Sequence, residues 1–137
     1  MIVAGMSVKS RTLAIVVFRI EKGNYQMLDA TPKIELTDSD SQSEMKLFKS
    51  ILEAFISENH IEMVYLKKRA KKGEFSGGVD GFKIEAILQI MPIPLHLISP
   101  QTIASVKRKT EISIPESLNK YQIEAFETAY CAYKKNA

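Results

Sequence analysis

The chain has 137 residues, of which 45% are hydrophobic and 26% are charged, and its formal net charge is +3 at pH 7. This length predicts one domain spanning residues 1–137, and no apolar run approaches the roughly 18 residues that a membrane span requires. The N-terminus lacks the charged region and apolar core of an export signal, so we expect a cytoplasmic protein with no membrane partner. The single cysteine, Cys131, excludes an internal disulfide.

Three β-rich runs open the chain, at 2–8, 12–20 and 25–30. The connections between them are short, which forces neighbouring strands to run antiparallel, as in a meander. The second run is nearly apolar throughout, which predicts a strand that is covered on both faces. Pro32 and the polar stretch 37–43 are expected to end the meander.

Helices and strands alternate in the rest of the chain. Apolar residues at three- and four-residue spacing predict a helix at 42–58, and Ser41 with Glu44 supplies a capping box at its start. Ser99 and Pro100 mark the start of a later helix. The other predicted elements are a strand at 61–66, a helix at 78–91, a strand at 95–98 and helices at 100–108 and 116–135.

This order of elements predicts an α/β fold, a five-stranded mixed sheet with helices on both faces. A strand that returns to the same sheet through a helix makes a right-handed, parallel connection. The predicted strand order is 3-2-1-4-5, with strand 1 between antiparallel strand 2 and parallel strand 4. Ligands gather beyond the carboxyl ends of such strands, where the chain direction diverges, so we expect Ser7, Lys9, Lys67 and Lys68 to line a crevice there.

The segment 67–83 is basic and rich in glycine, and it joins strand 4 to the next helix. One interpretation is an anion site formed by lysines and backbone N–H groups, and the other is a surface loop with glycines at tight turns. Phe75 is suited either to stacking on a base or to packing in the core. A second basic run follows strand 5. The candidate binding residues are Ser7, Lys9, Lys67, Lys68, Arg69, Lys71, Lys72, Phe75, Gly77, Gly78, Lys83, Lys107, Arg108 and Lys109.

Three motifs carry a resemblance to known proteins. They are Gly5-Met6-Ser7 on strand 1, the pattern K-x-R-x-x-K-G-x-F-x-G-G at 67–78 followed by F-K-x-E-A at 82–86, and Ile98-Ser99-Pro100-x-Thr102-Ile103. Together with the order of elements, they resemble the RNase H-like superfamily in its RuvC-type resolvase branch. More closely, they resemble an uncharacterised family of short bacterial RNase H-like proteins. The resemblance implies a three-layer RNase H-like fold over almost the whole chain.

The same resemblance implies that the usual metal-binding acids are missing. RNase H-like nucleases are expected to hold divalent metals with carboxylates on strand 1, strand 4 and the last helix, because Mg²⁺ prefers hard oxygen ligands. In this chain the strand 1 acid falls at Ser7 and the strand 4 acid at Lys67, whose ammonium group repels a metal ion. Glu124 and Glu127 lie where a D-A-A-D-like pair ends the resolvase sequences.

The leading hypothesis is a non-catalytic or catalytically altered RNase H-like protein that binds nucleic acid or another polyanion through its two basic runs. No cofactor is expected for such a binding protein. One alternative is a nuclease that uses Mg²⁺ or Mn²⁺ at a rearranged site of Glu85, Glu124 and Glu127, although the last two are also typical of a solvated helix face. Another alternative is a homo-oligomer formed through the exposed edge of strand 3 or strand 5.

Overall fold

The computed structural model describes residues 1–69 and 78–136. Its strands are β1 (Ile2–Lys9), β2 (Thr12–Glu21), β3 (Asn24–Leu28), β4 (Lys33–Glu35), β5 (Met63–Lys67) and β6 (Leu95–Ile98). Its helices are α1 (Gln42–Glu58), α2 (Gly78–Gln89), α3 (Pro100–Lys109) and α4 (Ile123–Asn136), with a 3-10 turn at Lys120–Gln122. Within these residues, no helix has the length and apolar character needed to cross a membrane.

The described strands form one mixed sheet in the order β3-β2-β1-β5-β6, with β4 also paired to β2. β1 runs antiparallel to β2 and parallel to β5, and β5 runs parallel to β6. The fourth and fifth predicted strands are β5 and β6, so the predicted order 3-2-1-4-5 is confirmed. The carboxyl ends of β1 and β5 consequently lie side by side, as the crevice prediction requires.

β4 is a short strand that the sequence analysis missed. Lys33–Glu35 pairs with the first residues of β2, while β3 pairs with the other end of the same strand. Pro32 has no N–H to donate, but its carbonyl oxygen accepts a hydrogen bond from the Ile15 N–H at 2.9 Å. The prediction that Pro32 ends the meander is therefore wrong, and the chain continues along β2 to the end of the sheet near Thr12.

Helices cover both faces of the sheet. On one face, α1 and α2 bury Phe48, Leu52 and Ile84 in a core that includes residues of β1 and β2. On the other face, α4 buries Phe126, whose ring contacts that of Phe18 on β2 with a centroid distance of 5.5 Å. β2 contributes side chains to both cores, which explains why its sequence is apolar throughout.

Gly5 allows α4 to pack closely on β1. A Cβ atom at this position would lie 2.4 Å from the carbonyl oxygen of Ala125 and 2.6 Å from the Cβ of Ala129. The helix contributes only small side chains at these two contact positions, so its backbone approaches the strand directly. This packing fixes the position of the polar residues on α4 relative to the ends of β1 and β5.

The last helix begins at Ile123, seven residues later than the predicted start at 116. A 3-10 turn precedes it, and the N–H of Asn119 donates a hydrogen bond to Oε1 of Gln122 at 3.0 Å. The buried Gln122 side chain also donates from Nε2 to the carbonyl oxygen of Ile15 on β2 at 2.8 Å. This long-range hydrogen bond ties the turn to the sheet, and helical periodicity in the sequence does not reveal it.

Candidate functional site

A groove of about 1090 Å³ opens at the carboxyl ends of β1 and β5. The start of β2, the start of α3 and the turn before α4 form its other walls. We call it the basic groove. The described residues that line it are Ser7, Val8, Lys9, Ser10, Thr12, Ala14, Lys33, Lys67, Lys68, Arg69, Pro100, Lys120, Tyr121 and Glu124.

Positive charge dominates this groove. Among the described lining residues, six are lysine or arginine and one, Glu124, is a carboxylate. Like charges gathered in a concave surface with low-dielectric walls reinforce one another and raise the local concentration of oppositely charged ligands. Ser7, Ser10 and Thr12 add hydroxyl groups, which are common hydrogen-bond donors to phosphate oxygens. The groove therefore has the charge and the donors expected of a polyanion-binding surface.

Lys67 and Glu124 form an ion pair in the groove. Lys67 Nζ lies 3.0 Å from Glu124 Oε1, and the two side chains are 30% and 56% exposed. Such an exposed pair contributes little to folding stability. Its main consequence is electrostatic, because the only lining carboxylate among the described residues offsets part of the charge of the lysine at the end of β5.

The side chains at the ends of β1 and β5 and at the start of α4 do not fit a divalent metal site. Where the resemblance places carboxylates, the chain presents the Ser7 hydroxyl, the Lys67 ammonium and the Glu124 carboxylate, and the ammonium contacts that carboxylate directly. No group of three or more His, Cys, Asp or Glu side chains that could hold a metal ion occurs within residues 1–69 and 78–136. A divalent ion here would meet a tethered cation and too few oxygen ligands.

The structure does not bring the three candidate nuclease carboxylates into one site. Glu127 Oε2 lies 2.9 Å from Lys107 Nζ, between α3 and α4, and its side chain is only 15% exposed. Glu85 is buried on α2, which packs on the opposite face of the sheet from α4, and its Oε2 has no hydrogen-bond partner among the described residues. Only Glu124 lines the groove, so these three carboxylates cannot act together on one metal ion in this arrangement.

Five of the predicted binding residues do lie together in the groove, namely Ser7, Lys9, Lys67, Lys68 and Arg69. Arg69 Nη1 donates a hydrogen bond to the carbonyl oxygen of Val8 at 3.1 Å. Its guanidinium carbon also lies 5.1 Å from the centroid of the Phe82 ring, a distance at which a cation–π interaction is favourable. Arg69 therefore links the end of β1 to the start of α2 as well as contributing charge.

Two other predicted residues lie on α2, outside the groove. Lys83 Nζ donates to the carbonyl oxygen of Ser39 at 2.8 Å and lies 3.4 Å from Asp40 Oδ1. This side chain ties α2 to the segment before α1. Gly78 has a φ of +66°, which favours glycine, and it is the first residue of α2.

The second basic run lies apart from the basic groove. Lys107, Arg108 and Lys109 form the last turn of α3, and Lys107 pairs with Glu127. Lys109 lines a separate pocket of about 480 Å³. The predicted binding residues Lys71, Lys72, Phe75 and Gly77 lie outside the described residues.

Among the charged and aromatic residues of the groove, sequence reasoning missed three, namely Lys33, Lys120 and Tyr121. Lys33 reaches the groove because β4 folds back along β2, and the alternating Lys33-Ile34-Glu35 was the available signal for a short, half-buried strand. Lys120 and Tyr121 reach it on the 3-10 turn. The signal for that turn lies in a contact with β2, which the local sequence does not show.

The fold is RNase H-like. The structure of Thermus thermophilus RuvC in complex with a Holliday junction substrate is similar to this chain with a TM-score of 0.70 and 14% sequence identity, covering 99% of this chain and 96% of that chain. The structure of fowlpox virus resolvase in complex with Holliday junction DNA is similar with a TM-score of 0.61 and 14% identity, covering 99% of both chains. The fold expected from the sequence motifs is confirmed.

The chain belongs to the family described as "Protein of unknown function (DUF3010)", whose model matches residues 1–132. This match confirms the resemblance to an uncharacterised family. None of the curated proteins matches the chain. The function must therefore be inferred from the groove itself.

Proposed function

We propose that this protein binds nucleic acid in the basic groove and does not cut it. The observation that carries the proposal is the contact of 3.0 Å between Lys67 and Glu124, beside the end of β1. It fixes an ammonium group where a metal-dependent nuclease would need a carboxylate. Five further cationic side chains surround this lysine among the described lining residues. Such a groove attracts phosphate groups and repels the metal ions that phosphodiester hydrolysis uses.

The similar solved structures support DNA as the ligand class. The RuvC structure and the fowlpox virus resolvase structure each contain a Holliday junction. In those two proteins an RNase H-like fold is therefore compatible with bound, branched DNA. In the present chain, the same fold carries a basic groove at the ends of its two central parallel strands.

Fluorescence anisotropy with labelled single-stranded, duplex and four-way-junction DNA tests the proposal. In EDTA at low salt we expect binding, because the groove supplies the cations itself. The logarithm of the association constant should fall linearly with the logarithm of salt concentration, with a slope of roughly −0.7 to −0.9 for each phosphate contacted. Absence of binding at low salt, or binding that salt does not weaken, would contradict the proposal.

A matched pair of lysine substitutions locates the interface. Lys120→Ala removes an exposed lysine of the groove, and Lys46→Ala removes an exposed lysine of α1 on the other side of the sheet. We expect Lys120→Ala to weaken binding about three- to tenfold and to reduce the salt slope by about one phosphate contact. Lys46→Ala changes the net charge equally and should leave the affinity nearly unchanged. Equal losses in the two variants would place the interface elsewhere.

The nuclease alternative is tested on the same DNA molecules. Incubation with Mg²⁺ or Mn²⁺ should leave all of them intact, because the carboxylates on α2 and α4 do not converge on one metal ion. Cleavage by the purified protein that disappears in Glu124→Ala would overturn the non-catalytic part of the proposal. Cleavage that survives in Glu124→Ala would overturn it as well, and would exclude Glu124 from the mechanism, unless the activity separates from the protein on further purification.

Self-association is a separate prediction. Among the described strands, β3 and β6 lie at the two ends of the sheet, and a strand edge without a partner can pair with another chain. Light scattering over a range of protein concentrations tests it. A mass that increases with concentration is expected if either edge pairs, and a constant mass of one chain would contradict the prediction.

A further inference from the structure

Tyr121 is an exposed aromatic side chain in the basic groove. It is 40% exposed, whereas Tyr130 and Tyr133 on the following helix are buried in the core. Core packing therefore explains those two tyrosines and leaves Tyr121 available to a ligand. An aromatic ring within a cationic groove is the combination that proteins use to bind single-stranded nucleic acid, because the ring stacks on a base while the cations contact the backbone.

The turn that carries Tyr121 is held in place by the buried Gln122. Gln122 Nε2 donates to the carbonyl oxygen of Ile15, and Gln122 Oε1 accepts hydrogen bonds from N and Nδ2 of Asn119 at 3.0 and 3.1 Å. Asn119 Nδ2 also donates to the hydroxyl of Tyr121 at 3.2 Å. A ring positioned before the ligand arrives loses little conformational freedom on binding, which favours affinity.

Lys33 places a cation beside this ring. Its Nζ lies 5.1 Å from the centroid of the Tyr121 ring, within the range of a cation–π interaction, and 3.3 Å from Glu35 Oε1. Lys120 precedes Tyr121 in the same turn and also lines the groove. A base stacked on Tyr121 would therefore have ammonium groups nearby for the adjoining phosphates.

Building on the proposed function, we propose that Tyr121 is a stacking platform for an unpaired base, so that the groove prefers single-stranded or locally unpaired nucleic acid to intact duplex. In a duplex, each base face is covered by the neighbouring bases, and only an unpaired base can stack on a protein ring at low cost. Every base has a face that can stack, so this contact adds affinity with little sequence preference.

Substitution of Tyr121 tests this inference. Labelled single-stranded DNA and a duplex of the same sequence are titrated with the wild type, Tyr121→Leu and Tyr121→Phe at one low salt concentration in EDTA. Loss of a base–aromatic contact predicts that Tyr121→Leu binds the single strand about tenfold more weakly. Tyr121→Phe, which keeps the ring, should bind the single strand within about twofold of the wild type, and Tyr121→Leu should lose less affinity for the duplex than for the single strand. Urea unfolding of each variant confirms that the fold is intact.

The outcomes separate this inference from the proposed function. Wild-type affinity of Tyr121→Leu for the single strand, or an equal loss for single strand and duplex, would overturn the stacking role and leave nucleic-acid binding standing. A similar loss in Tyr121→Phe and Tyr121→Leu would assign the effect to the hydroxyl and also overturn it. Absence of wild-type binding to either DNA would overturn the proposed function and this inference with it.

Discussion

Two lysine–glutamate pairs join α4 to neighbouring elements, and their surroundings give them different roles. Lys67–Glu124 opens into the basic groove, where the carboxylate side chain is 56% exposed. Lys107–Glu127 joins α3 to α4, where the carboxylate side chain is 15% exposed and the lysine side chain is 49% exposed, and we call it the enclosed pair after its carboxylate. The exposed pair adjusts the charge that a ligand meets, and the enclosed pair holds two helices together. Two glutamates that are three residues apart on one helix can thus belong to two unrelated regions.

The region around the enclosed pair contains a third polar group. Cys131 is fully buried, and its Sγ lies 3.8 Å from the carbonyl oxygen of Ile103 on α3. Burial, together with the nearby Glu127 carboxylate, raises the pKa of this thiol from 9.0 to about 11. A hydrogen bond and the charge of Glu127 also raise the pKa of Lys107. We call this region, made of Ile103, Lys107, Glu127 and Cys131, the α3–α4 contact.

The substitution Gly5→Ala should have the largest effect, because it disturbs both regions. Its Cβ would overlap the backbone of Ala125 and the side chain of Ala129, so α4 must shift away from β1. We expect a loss of about 3 kcal/mol in the free energy of unfolding, measured in urea. Gly81→Ala is the comparison, since the three atoms nearest its Cβ belong to the Arg69 guanidinium, a side-chain end that can move, and not to backbone, so it should cost less stability than Gly5→Ala. Equal losses in the two variants would show that Gly5 does not position α4.

The second-largest effect is expected at high pH, which should weaken the α3–α4 contact. In the unfolded chain the thiol of Cys131 ionises near pH 9.0, whereas in the folded protein it stays protonated until about pH 11. Between pH 9 and pH 11 the folded state therefore binds more protons than the unfolded state. The protonated thiol stabilises the folded state fully below pH 9, and this contribution to the free energy of unfolding is lost as the pH rises to about 11. The expected loss in the free energy of unfolding between pH 9 and pH 11 is on the order of 2 kcal/mol.

Urea unfolding from pH 8 to pH 11 measures this loss in the wild type and in Cys131→Ala. At pH 8 the variant should be less stable than the wild type because the substitution leaves a small cavity, but its stability should decline less between pH 9 and 11. Only the difference in slope tests the role of the thiol. Parallel curves for the two proteins would contradict it.

The enclosed and exposed ion pairs are compared directly by Glu127→Gln and Glu124→Gln. Removing the Glu127 carboxylate, whose side chain is 15% exposed, leaves the 49% exposed Lys107 in water without its ionic partner, so we expect a loss of at most about 1 kcal/mol in the free energy of unfolding. The same change at Glu124 should cost less than about 0.5 kcal/mol, because both groups of that pair remain hydrated. The two role assignments would be wrong if Glu124→Gln proved the more destabilising substitution.

The sheet and most helices were predictable because their signals are local. The apolar spacing of Phe48, Leu52 and Phe55 marks α1, and Ser99 with Pro100 marks the start of α3. Strand order followed from connection lengths and the right-handed crossover. β4 has only a three-residue alternation as a local signal and the late start of α4 has none, since each depends on hydrogen bonds to β2 from residues distant in sequence.

The site was predictable only where the strands themselves deliver its residues. Ser7 and Lys67 end adjacent parallel strands, so the topology alone brings them together. The second basic run was predicted to bind the same polyanion as the first, and Lys107 lies outside the basic groove because a run of charges carries no information about the direction in which a helix presents it. Lys33 and Tyr121 were missed because they reach the groove through the two elements that long-range hydrogen bonds create.

The most direct test of the account is the affinity of Glu124→Gln for DNA in EDTA. If the groove binds phosphates with its own cations, removing its carboxylate frees Lys67 and removes a repulsive charge, so affinity should rise about threefold and the salt dependence should become steeper. The unfolding measurement on the same variant controls for changes in stability. Weaker or unchanged binding by Glu124→Gln would contradict the claim that Lys67 and its neighbours form an anion-binding groove in place of a metal site.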